Sequence, residues 1–103
     1  MDKKFKLRYL PIFEQDVASV RDYIALTLMN PVAALRLIED TEKAIHKRLE
    51  NPLAFKPYHS SRDRKHPYYR IHVRNYTVFY VVIDNVMEVR RFVYSKRDLS
   101  GTV

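Results

Sequence analysis

The feature that most constrains this chain is a double change in hydrophobic period. Residues 4–9 alternate polar and apolar side chains, residues 13–49 carry apolar side chains every three or four positions, and residues 68–94 return to alternation. Alternation places neighbouring side chains on opposite faces of a strand, whereas the longer period gathers them along one side of a helix. The expected order is strand, helix, helix, strand, strand, strand.

In residues 4–9, Phe5, Leu7 and Tyr9 share one face, and Pro11 stops the strand. Phe13, Val17, Val20, Ile24 and Leu28 then form one apolar stripe, with Asp16 and Asp22 off it and expected to stay hydrated. Asn30-Pro31 reads as a break and a restart. Asn can accept from a free amide at a helix start, and Pro needs no amide partner at the first position. A second helix is expected over residues 31–49, buried along Leu35, Ile38, Ile45 and Leu49 with Ala34 and Ala44 nearby, while Glu39 and Lys43 pair on its exposed side. Asn51-Pro52 ends it. Two stripes joined by so short a break cannot bury each other completely, so the hairpin needs a sheet to cover.

The proline-rich stretch 52–67 is a loop carrying Arg62, Arg64, Lys65 and His66. After it, Arg70, His72 and Arg74 are expected on one face of a strand and Tyr69, Ile71 and Val73 on the other. Residues 76–83 are apolar almost throughout, which marks a central strand buried on both faces, with Tyr76 and Tyr80 in the core. Asp84-Asn85 makes the next turn. In residues 86–94, strict alternation puts Val89 and Val93 on one face and Arg90, Phe92 and Tyr94 on the other. Arg91 falls on the Val89 side, where it should bridge to a helix acid. The fold class is therefore α+β, β-α-α-β-β-β, with an N-terminal helical hairpin on one face of an antiparallel-rich four-stranded sheet whose other face is open. Its 103 residues suit one domain, residues 1–103.

Composition excludes several functions. There is no cysteine, which removes disulfides and thiolate zinc sites, and the four histidines lack metal-ligand spacing, so neither metal nor cofactor is expected. A single glycine argues against a glycine-built phosphate cradle. The N-terminal apolar run is short and interrupted, so no signal peptide is read, and no apolar stretch is long enough to span a bilayer. A cytoplasmic location and no membrane partner are expected. The net charge of +7 is uneven: residues 1–55 hold nine Lys/Arg against eight Asp/Glu, and residues 56–103 hold ten against four. The positive field of the C-terminal half would attract a polyanion or an acidic partner.

Several strings, in this order, resemble the RelE/ParE family of bacterial type II toxin–antitoxin systems. They are Asp16 ahead of Tyr23-Ile24, the run from Asn30 to Leu35, the exit from Leu49 to Pro52, the strand signature from Tyr69 to Tyr80, and the end from Arg90 to Asp98. The resemblance spans nearly the whole chain. It implies a toxin with a concave basic site and a cognate antitoxin, encoded next to it, that blocks that site. RelE-like members cleave mRNA on the ribosome by metal-free attack of a ribose 2′-hydroxyl on the adjacent phosphate, and ParE-like members inhibit DNA gyrase.

The resemblance places Arg70, His72 and Arg97 at catalytic positions. An arginine there would stabilise phosphate charge, and His72 would carry a proton near neutral pH. Arg62, Arg64, Lys65, Arg74, Arg90, Tyr94 and Lys96 are candidates for gripping RNA or another target, Tyr94 by stacking on bases. Ribosome-dependent mRNA cleavage is the leading expectation. The sequence departs from that pattern at Thr77, where RelE-like enzymes usually carry an arginine, and at Tyr94-Ser95, where one branch ends in His-Tyr. Gyrase inhibition needs no such set and is the alternative. A third reading is a non-toxic relative or a basic nucleic-acid-binding domain.

Overall fold

β1 (Lys6–Tyr9), α1 (Pro11–Asp22), α2 (Pro31–Leu49), β2 (Tyr69–Val73), β3 (Tyr76–Ile83) and β4 (Val86–Tyr94) follow one another in a computed structural model that describes residues 4–58 and 65–96. The sheet order is β1-β4-β3-β2. β2, β3 and β4 form an antiparallel meander through two-residue turns, and β1 lies parallel to β4. A parallel pair needs a long crossover, which here contains the helical hairpin.

The hairpin covers one face of the sheet. Phe13, Leu37 and Ile45 pack on Ile71, Val78, Tyr80, Met87, Val89 and Phe92, and each such apolar side chain contributes about 1.5–3 kcal/mol on full burial. Aromatic rings stack across the strands, Tyr69 on Tyr80 at 5.3 Å and Tyr76 on Phe92 at 5.1 Å between centroids. Tyr80 ends this layer with its hydroxyl donating to the Pro52 carbonyl at 2.8 Å and accepting from Arg48 at 3.0 Å. β3 is buried on both faces, as its composition predicts. The far face is not fully open: Tyr68, Phe79, Val81 and Val93 form a second apolar cluster capped by Tyr58, whose amide donates to the Tyr68 carbonyl.

Three local features depart from strict periodicity. α1 runs into a π-helical turn, Tyr23–Thr27, in which the Leu28 amide reaches back to Tyr23. The wider turn shifts the phase, so Leu28 is 54% exposed and not part of the buried stripe. α2 starts as expected, with Asn30 Oδ1 accepting from the Ala33 amide and Pro31 at the first position. Its buried side, however, is Ala34, Leu37, Thr41 and Ile45, and Leu35 is 58% exposed. The true stripe is rotated toward Leu37 because the sheet lies on that side.

The third departure is a bulge in β4. Phe79 pairs with Arg91 while Tyr80 pairs with Val89, leaving Arg90 as the extra residue. Val89 and Phe92 therefore both face the helices, Val93 faces away, and Arg90 is separated from Phe92 and Tyr94. Arg91 does bridge to a helix acid, Asp16, at 2.8 Å and 3.2 Å. Asp16 is correspondingly not a hydrated surface residue: it also accepts the Phe92 amide at 3.0 Å, tying α1 to the strand beside the bulge. Among the described residues, no helix is long and apolar enough to cross a membrane.

Candidate functional site

The register of the meander decides which candidate residues meet. His72 on β2 lies opposite Thr77 on β3, and Thr77 lies opposite Val93 on β4. The Ser95 amide, just past β4, donates to the Asn75 carbonyl at 2.8 Å and brings its hydroxyl over Thr77. A chain of three polar side chains results on the face away from the helices. His72 Nδ1 is 3.2 Å from Thr77 Oγ1, which is 2.8 Å from Ser95 Oγ. Thr77 is 2% exposed, whereas His72 and Ser95 reach solvent.

Arg70 is two residues from His72 on the same face of β2 and is exposed. Two residues of strand span roughly 6.5 Å, about the scale of one phosphodiester linkage. The Arg70 guanidinium lies 4.6 Å from the Tyr58 ring centre, a cation–π contact that orients it without cancelling its charge. An exposed imidazole anchored through one nitrogen, beside an arginine, can move a proton next to a phosphate and stabilise the charge that develops there.

The other candidates are dispersed. Arg74 does not continue the row of Arg70 and His72. It sits in the turn after β2 with φ 55° and pairs with Asp40 on α2, at 2.8 Å and 2.7 Å, because the left-handed turn carries its side chain toward the helices. Arg90 donates to Glu88 at 2.7 Å, and Arg8 reaches the same carboxylate at 2.6 Å and 2.9 Å. Burial alone would raise the Glu88 pKa, but hydrogen bonds and charge from Arg90 and Arg8 outweigh it and hold it below the ordinary glutamate value. The Arg90 charge is therefore largely committed. Tyr94 stands edge-on to Tyr76 on the helix side of the sheet, away from Arg90, since the bulge has reversed its expected company. Lys65 and Lys96 are exposed. Arg62, Arg64 and Arg97 lie outside the described residues.

A second feature is a groove of about 950 Å³ between the hairpin and the end of the sheet, floored by Val20, Ile24, Leu37 and Phe92, with Tyr76 and Tyr94 among its walls. Beside it, the hairpin tip leaves Tyr23, Leu26, Leu28, Met29, Val32 and Leu35 exposed, Leu26 at 74% and Met29 at 83%. No charged residue interrupts positions 23–35. An apolar surface of this kind is typical of a contact or binding site.

Thr77, Ser95 and Glu88 were not candidates on sequence grounds. Thr77 and Ser95 stood out only as departures from a pattern. A lone acid among apolar and basic residues was the available signal for Glu88. No group of three or more potential metal ligands occurs among the described residues.

No curated protein sequence matches this chain. Solved structures of similar fold include the chromosomal ParDE toxin–antitoxin system from P. aeruginosa, 14% identical, with TM-score 0.72 over 92% of this chain and 100% of that one. The E. coli DinJ-YafQ toxin-antitoxin complex is 13% identical, with TM-score 0.56 over 88% of this chain and 92% of that one. The archaeal RelE-RelB complex from Pyrococcus horikoshii OT3 is 14% identical, with TM-score 0.54 over 92% and 99%. These likenesses establish a shared RelE/ParE-like fold. Residues 7–99 match the family described as the ParE toxin of the type II toxin-antitoxin system parDE, so the chain belongs to that toxin family.

Proposed function

We propose that this toxin arrests growth by cleaving mRNA on the ribosome and is held inactive by an antitoxin encoded beside it. The observation that carries the reading is the exposed His72 ring, anchored at Nδ1 on a buried hydroxyl and standing beside Arg70. In the proposed reaction His72 Nε2 takes the proton of a ribose 2′-hydroxyl, and that oxygen bonds to the adjacent phosphorus. Arg70 stabilises the charge on the phosphoryl oxygens while the 5′-oxygen departs and takes a proton from water, and the proton held on His72 returns to solvent. The products are a 2′,3′-cyclic phosphate and a 5′-hydroxyl. Arg97 is proposed to add a second guanidinium, and Arg62, Arg64, Lys65 and Lys96 to hold the RNA backbone or ribosome by charge.

The antitoxin is proposed to fill the groove beside the hairpin and to lay acidic residues over the basic sheet face. The exposed tip supplies the apolar contact and the positive C-terminal half supplies the charge.

A second reading, inhibition of DNA gyrase without RNA cleavage, is favoured by one observation. Among the described residues, the two arginine candidates other than Arg70, Arg74 and Arg90, are engaged by Asp40 and Glu88, and Thr77 stands where a further arginine would serve. Purified toxin added in parallel to a reconstituted translation reaction and to a gyrase supercoiling reaction separates the two. Loss of protein synthesis with supercoiling intact is the expected result. Blocked supercoiling with normal synthesis would replace the ribonuclease reading by the gyrase one.

A further inference from the structure

We infer that Ser95, acting through Thr77, fixes which nitrogen of His72 carries the proton, and so keeps Nε2 available as a base. The inference takes its catalytic meaning from the ribonuclease reading, but the state of the imidazole can be measured without it.

The number of hydroxyl hydrogens limits the chain to two arrangements. A threonine hydroxyl has one hydrogen, and Thr77 is buried, so that hydrogen must be donated either to His72 Nδ1 or to Ser95 Oγ. In the first case Ser95 donates to Thr77, Thr77 donates to Nδ1, and the neutral imidazole bears its hydrogen on Nε2. In the second case Nδ1–H donates to Thr77, Thr77 donates to Ser95, and Nε2 keeps a free lone pair. The contact to the ring favours the second direction: 3.2 Å is long for a hydroxyl donor but falls within the range of N–H···O bonds, while the 2.8 Å contact between hydroxyls suits either direction. Ser95 is at the surface, where its own hydrogen can turn to water.

The second direction also suits proton transfer. When Nε2 takes up a proton, Nδ1–H still donates to Thr77 and Thr77 still donates to Ser95. No buried hydroxyl has to rotate during the step. Thr77 is thus a positioning residue, and Ser95 is the acceptor that makes the position hold. An acceptor at Nδ1 is the general means of orienting a histidine base.

The test is nitrogen-15 NMR of the imidazole in the full-length protein, well above the pH at which the ring titrates, for the wild type, Ser95→Val, Ser95→Thr and Thr77→Ser. Valine places a methyl where the hydroxyl was, while the Ser95 amide bond to Asn75 remains. The wild type, Ser95→Thr and Thr77→Ser are expected to carry the hydrogen on Nδ1, and Ser95→Val is expected to move it to Nε2. In the translation assay Ser95→Val should lower the cleavage rate at saturating ribosomes by about a hundredfold, with half-saturation unmoved and Ser95→Thr restoring the rate. A wild-type ring protonated on Nε2, or a tautomer that Ser95→Val leaves unchanged, overturns the inference. A tautomer that flips in a protein that cuts no mRNA would uphold the assignment and overturn the ribonuclease reading alone.

Discussion

The two faces of one sheet do different work. The face under the helices is closed by aromatic and aliphatic packing, with Tyr80, Val78, Met87 and Val89 showing no exposure at all. The opposite face carries the polar groups: the His72–Thr77–Ser95 chain, and Glu88 between Arg8 and Arg90. Since alternate residues of the same strands serve both faces, rigidity on one fixes positions on the other. Thr77 is held between Tyr76 and Val78, both packed against the helices, so its hydroxyl has little freedom to leave His72.

If the covered face supplies the stability, truncation there should cost most. Tyr80→Ala is expected to destabilise the fold by about 3–5 kcal/mol in chemical denaturation, through the cavity and the lost hydroxyl bonds. Tyr80→Phe, which removes only those bonds, should lose about 1 kcal/mol. A Tyr80→Ala loss no larger than that of Tyr80→Phe would contradict the division between the faces.

The polar face should contribute a smaller term that depends on pH. Glu88→Gln is expected to cost about 1–2 kcal/mol, limited by the rehydration of half-exposed Arg8. Because the folded-state pKa of Glu88 lies below the ordinary value of 4.5, its stabilising contribution is complete above that value and fades as pH falls through the lower folded one. Unfolding curves of wild type and Glu88→Gln should therefore converge on acidification, and a gap that persists at low pH would show that Glu88 acts through something other than its charge.

The smallest effect on stability belongs to the hairpin tip, which neither face buries. Met29 has φ 54°, a left-handed conformation suited to glycine or asparagine. Met29→Gly should gain up to about 1 kcal/mol in a thermal melt, offset in part by the greater freedom of the unfolded chain. The same change removes an 83% exposed apolar side chain and should weaken antitoxin binding about tenfold by calorimetry. Unchanged affinity would remove the tip from the proposed interface.

The contrast between the faces also marks what was legible in the sequence. Alternation and helical period located every major element, and Asn30-Pro31 placed the start of α2. Arg70 and His72 were read correctly onto one strand face, because alternation needs only local sequence. The misplaced stripe of α2 involved no break in period, only the choice of which side meets the sheet; the other failures depended on a residue breaking the period. The bulge at Arg90 reversed the company of Phe92 and Tyr94, the π-helical turn displaced Leu28, and the left-handed turn took Arg74 out of the row. Thr77 and Ser95 were invisible for a further reason: their link to His72 exists only across strand pairings, 5 and 18 residues apart, which no single string displays.

Cleavage of RNA by Arg70 and His72 can be checked by mapping mRNA 5′ ends in a translating extract with the wild type and with Arg70→Ala/His72→Ala, after circular dichroism has shown the variant folded. With the wild type, new 5′ ends that need ribosomes are expected, and they should be lost, by about a hundredfold or more, in the folded variant. Cuts of undiminished strength in that variant, or mRNA left intact by the wild type, would contradict that role of Arg70 and His72.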